Sequence, residues 1–163
     1  MSDVGRHLRI VLVLALCVVA AFVVVTLRAR GWAVVPDLVL LPVIAVALTR
    51  GSAVGALSGI AAGWVVDLVP PGGAPLGLTA LLYAAAGALA GRGTRLGPLP
   101  TRWVALVALG AALVPAAGRL LHGAWLGQQV GPVQALTEVA VTVLVAVVVV
   151  PPLVRLDKGD ESW

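Results

Sequence analysis

Charge is scarce in this 163-residue chain: Asp, Glu, Lys and Arg make up 11% of it, where a soluble domain carries about a quarter. A single cysteine, Cys17, excludes an internal disulfide, and its place inside an apolar run marks it as a small packed residue. The two histidines, His7 and His122, have no cysteine or second histidine at ligand spacing, so no metal site is expected. One Tyr and one Phe leave little material for an aromatic-lined pocket. There is no Ser/His/Asp set, HExxH, P-loop or CxxC, so neither catalytic residues nor a cofactor are expected. The net charge of +4 would point to nucleic acid in a soluble protein. Here the arginines stand at the ends of apolar runs, where they read as topology signals, and no nucleic-acid partner is expected.

What the chain has in abundance is apolar sequence, 61% of the total. Cutting it at charges and at Pro/Gly clusters leaves six stretches, 8–27, 32–48, 52–69, 76–91, 103–121 and 133–150. Most are close to the length that crosses ~30 Å of hydrocarbon at ~1.5 Å per residue. The expectation is an all-α integral membrane protein, one membrane domain over 1–163 built as a bundle of about six transmembrane helices in the lipid bilayer. The second and third stretches must turn at Arg50-Gly51, and Pro70-Pro71-Gly72-Gly73-Ala74-Pro75 breaks the chain before the fourth. A cleaved signal peptide is the alternative reading of the first stretch. Against it, Arg28 and Arg30 stand where a small-residue cleavage site belongs.

Orientation follows from the basic residues. With the N-terminus inside, Arg6, Arg9, Arg50, Arg92, Arg95, Arg102, Arg155 and Lys158 fall on the inner side, and Arg28, Arg30 and Arg119 on the outer. Both termini are therefore expected in the cytoplasm. The basic inner loop Arg92-Gly93-Thr94-Arg95, with Arg102, reads equally as this signal and as a contact for anionic lipid.

Two sets of residues stand out. Gly51, Gly55, Gly59 and Gly63 recur every fourth position, on one side of a helix, and the next step is Asp67. In a soluble helix those glycines would cost about 1 kcal/mol each against alanine, whereas in a bilayer they permit close backbone approach, within the chain or to a partner. The second set is a membrane charge cluster on the outer side, Asp37, Asp67, Arg119 and Glu138, with Arg119 as the shared cation and His122 or Gln128 at its rim. Pro36-Asp37 reads as a helix start. Asp67, near a helix C-terminus where its charge opposes the dipole, is expected to pair with Arg119.

The run PDLVLLPVIAVALTRG from Pro36, then Gly55, Gly59, Gly63 and Asp67 as GxxxGxxxGxxxD, the proline-glycine turn, and Pro75-Leu76-Gly77-Leu78-Thr79-Ala80-Leu81 together resemble the rod shape-determining protein MreD family. The resemblance covers about a third of the chain. It implies a non-enzymatic scaffold of the bacterial inner membrane, acting in lateral wall elongation through contacts with MreC and with the glycosyltransferase and transpeptidase of wall synthesis. It also implies a fold similar to the substrate-binding subunits of energy-coupling-factor vitamin transporters, which supplies a second functional reading. Such a subunit needs small residues on its first helix for docking, and here Ala15 is followed at the fourth step by Val19. An enzyme of lipid or wall-precursor chemistry is a third reading.

Overall fold

The computed structural model describes residues 3–32, 34–68, 75–95, 97, 100–127 and 131–158, with side-chain surroundings for these except 3–14, 28 and 156–158. Among the described residues the fold is all-helical. The helices are α1 (Asp3–Ala29), α2 (Leu40–Arg50), α3 (Ser52–Leu68), α4 (Leu78–Gly91), α5 (Thr101–Trp125) and α6 (Pro132–Lys158). Two of them, over Thr101–Trp125 and Pro132–Arg155, are long and apolar enough to cross a membrane. The expected turn over 70–75 lies outside the described residues except for Pro75, as does Gln128.

The helix start expected at Pro36-Asp37 within the stretch 32–48 is corrected by the structure: helix begins only at Leu40. Pro36 disfavours helical geometry at Val35 and would itself suit a first helical position, so the delay from Asp37 to Leu40 comes from contacts beyond the segment. The Asp37 N–H instead donates to the Thr142 hydroxyl at 2.9 Å, and the Leu38 N–H to the Pro36 carbonyl at 2.9 Å. Pro42 is tolerated because it falls in the first turn of α2, where its missing donor has no intrahelical acceptor to lose.

α2 is the buried axis of the bundle. Leu40, Leu41, Ile44, Ala47 and Leu48 share one core with Ala86 and Ala90 of α4, Val104, Ala108, Ala111 and Ala112 of α5, and Val139, Ala146 and Val150 of α6. A second core joins Cys17 and Ala21 of α1 to Val39, Val43, Ala62 and Tyr83. Gly51, with φ +86°, ends α2 in a conformation that favours glycine and lets α3 begin at the next residue. Its backbone still belongs to the packing row, since a Cβ added at Gly91 would strike the Gly51 carbonyl carbon. A Cβ added at Gly51 itself would meet nothing within 4 Å, so its own missing side chain serves the turn.

The other three glycines of the row face α4. A Cβ at Gly55 would overlap the Gly87 carbonyl, one at Gly59 the Tyr83 carbonyl, and one at Gly63 the Ala80 backbone. α4 answers with its own glycines: a Cβ at Gly87 would strike the Gly55 carbonyl, and one at Gly91 the backbone of Ser52. The two helices run antiparallel, backbone against backbone, in steps of about one turn.

Residue size is sorted in the reverse of a soluble core. Alanine, glycine and valine fill much of the interior beneath the α2 leucines, while Phe22, Leu57, Trp64, Leu81, Leu106, Leu144 and Val148 point outward.

Candidate functional site

Five residues from four parts of the chain meet inside the bundle. α5 supplies Arg119, α6 supplies Glu138 and Thr142, α4 supplies Tyr83, and the non-helical segment before α2 supplies Asp37. By the helical rise, Tyr83 is ~8 Å from the start of α4, Glu138 and Thr142 are ~9 and ~15 Å from the start of α6, and Arg119 is ~9 Å from the end of α5. The meeting point is thus well below that end of the bundle. Asp37, expected at a helix start on the outer boundary, is drawn to the same level because its backbone is bonded to Thr142.

The geometry is that of a pin between elements. The Tyr83 hydroxyl donates a short hydrogen bond to Asp37 Oδ1, which gives the chain's one tyrosine a partner for its buried O–H. Arg119 lies 3.8 Å from Asp37 Oδ2 and 3.5 Å from Glu138 Oε2. Both separations are ion pairs beyond hydrogen-bond length, so the guanidinium bridges two carboxylates by charge. Asp37 Oδ2 is buried and has no hydrogen-bond donor among the described residues. The side chain of Arg119 is 41% exposed, against 14% for Asp37 and 16% for Glu138, so the cation forms the open side of the cluster.

Thr142 uses both capacities of its hydroxyl: it donates to the Glu138 carbonyl at 2.7 Å and accepts the Asp37 N–H. Thr142→Val keeps the shape and removes the acceptor, leaving a backbone donor stranded. The expected loss is about 1–3 kcal/mol of stability. Thr142→Ser should retain most of it. Unfolding of the three proteins in detergent micelles checks this, and a valine variant as stable as the parent would dismiss the bond as incidental.

Of the four expected cluster members, the structure brings Asp37, Arg119 and Glu138 together, and the fourth is corrected. Asp67 Oδ2 accepts the Gly77 N–H at 2.9 Å, and Arg119 is not its partner. Gly77 is the N-cap residue of α4, so the carboxylate that opposes the dipole of its own helix complements that of the antiparallel neighbour. His122 follows Arg119 by three residues in the last turn of α5.

Tyr83, Thr142, Gly87 and Gly91 were not singled out by the pattern of the sequence. Gly87 and Gly91 do carry a signal, a second small-xxx-small step facing the first. A lone tyrosine in an apolar helix is another, since its hydroxyl needs a partner. Thr142 has none, because threonine in an apolar helix ordinarily bonds back to its own carbonyls.

No family model, curated protein or solved structure matches this chain. The glycine row, Asp67 and the segment from Pro36 have definite places in the fold. Gly55, Gly59 and Gly63 form the α3 side of the α3–α4 contact, Asp67 closes it at the start of α4, and the segment from Pro36 carries Asp37 into the charge cluster.

Proposed function

We propose that the chain is a multi-pass protein of the bacterial inner membrane, with six crossings and both termini cytoplasmic. It serves wall elongation and cell shape as a non-enzymatic scaffold, in contact with MreC and the glycosyltransferase and transpeptidase of peptidoglycan synthesis. The observation that carries the membrane reading is the outward placement of large apolar side chains around an alanine- and glycine-rich interior. In water such a surface is a liability, while in a bilayer lipid covers it and small residues let backbones touch. Crossing by the second segment takes α2 and the residues before it in series. α2 supplies ~16 Å, and the six residues 34–39 supply at most ~20 Å at ~3.3 Å each.

The scaffold reading rests on the resemblance to the MreD family, supported by the structural duties of the residues that carry it. Two experiments test the proposal. In a Cys17→Ala background, a cysteine at Gly73 should react with an impermeant thiol reagent on intact cells and one at Thr94 should not; the opposite pattern reverses the topology. Co-purification from native membranes should recover MreC. A stoichiometric vitamin-like molecule in its place would replace the scaffold with the transporter subunit.

A further inference from the structure

The end of the bundle opposite the charge cluster carries a second, unused set of side chains. The Trp103 indole N–H donates to the Gly93 carbonyl at 2.8 Å, which ties the chain around Arg92 to the first turn of α5 around Arg102. The Arg95 guanidinium lies over the same indole, 3.7 Å from the ring centroid. The Thr94 hydroxyl, bonded to the Gly91 and Ala47 carbonyls at 2.6 and 3.0 Å, anchors the loop to the ends of α4 and α2. Three exposed arginines, Arg92, Arg95 and Arg102, are thereby gathered at one corner. None of them has a carboxylate partner among the described residues.

Stacking occupies the face of the Arg95 guanidinium and leaves its in-plane N–H donors free, in the fork that suits a phosphate. It also holds the side chain in place before any ligand arrives. Beneath the three cations the α4–α5 seam is apolar. Leu89 precedes Arg92 by three residues, Leu106 follows Arg102 by four, and both are exposed. Gly110, four residues beyond Leu106, faces the Leu89 side chain across the seam. A cationic corner above a strip of exposed apolar side chains suits one ligand class, a phosphate attached to a hydrocarbon chain. An acidic peptide or a nucleic acid would use the cations and leave the apolar strip idle.

We propose that this corner is a binding site for one anionic phospholipid, its phosphate held by Arg92, Arg95 and Arg102 and its acyl chain lying along Leu89, Leu106 and Gly110. The inference rests on the chain spanning a bilayer and goes beyond the scaffold reading, since it names a ligand that the reading does not require.

The test uses the full chain in nanodiscs of phosphatidylcholine doped with phosphatidylglycerol, with retained lipid counted by native mass spectrometry. Phosphatidylglycerol should be retained over phosphatidylcholine, and Arg95→Gln should lower its retention about fivefold, the share of one cation near an anionic surface. Trp103→Leu should lower it similarly although no charge changes. Leu106→Gln, at an exposed position that leaves the fold intact, should lower it as well. Arg155→Gln, at the same end but on α6, should change it less than about twofold, and millimolar inorganic phosphate should not displace the lipid. Equal retention of the two lipids, equal loss from Arg95→Gln and Arg155→Gln, or displacement by free phosphate would overturn the site. Carbonate extraction of native membranes separates this from failure of the membrane reading, because a chain stripped into the supernatant refutes the spanning fold itself.

Discussion

Gly59→Ala is expected to destabilise the folded chain by about 2 kcal/mol or more, although alanine is the better helix former by about 1 kcal/mol. The sign follows from what the new methyl group meets. A Cβ at Gly59 would overlap the Tyr83 carbonyl carbon and oxygen and the Ala84 nitrogen, which are backbone atoms with no rotamer to escape into. Relief requires α3 and α4 to separate, and that separation would propagate to Gly55 and Gly63, whose clearances against α4 are equally small. It would also shift Tyr83 from Asp37, so the damage should reach the charge cluster. Leu57→Ala, at a position 66% exposed, should stay within about 0.5 kcal/mol. Titration with a denaturing detergent, followed by tryptophan fluorescence, compares the two. An alanine variant at Gly59 as stable as the parent would mean that the helices do not touch along this row.

Arg119→Met should cost about 2 kcal/mol, and Arg119→Met combined with Glu138→Gln should recover part of the loss. The single change removes the charge that bridges Asp37 and Glu138 and leaves two mostly buried carboxylates without a counter-ion. Breaking a fully buried pair from one side costs about 3–5 kcal/mol, but Arg119 is 41% exposed and water screens part of the interaction. Methionine keeps the length of the aliphatic stem, so the measured loss reports charge more than packing. The readout is a double-mutant cycle on unfolding free energy. Strict additivity of Arg119→Met and Glu138→Gln would show that the two side chains do not interact, and would return Arg119 to the role of an independent surface cation.

The contrast between the glycine row and the charge cluster shows which information is local. Four-residue spacing puts Gly55, Gly59 and Gly63 on one side of a single helix whatever that helix packs against, so the row was legible before any partner was known. The presence of a charge cluster was legible for a similar reason, because few ionisable groups occur within apolar runs and each is costly there. Its membership was not. Asp67 and Asp37 are each credible partners for Arg119 on charge and approximate depth, and the choice depends on how α3, α5 and the segment before α2 are placed around the bundle.

The sequence by itself determined that this chain forms apolar helices, where they break at Gly51 and near Pro75, and which helix face lacks side chains. These are consequences of composition, backbone propensity and helical period, all settled within a few residues. Only the tertiary structure decided that α2 starts at Leu40, that Asp67 caps the start of α4, and that Tyr83 and Thr142 join the cluster. Each of these depends on a hydrogen bond or close approach between residues distant in the chain. Thr142 is 105 positions from the backbone donor it accepts, and no local pattern encodes a contact at that range.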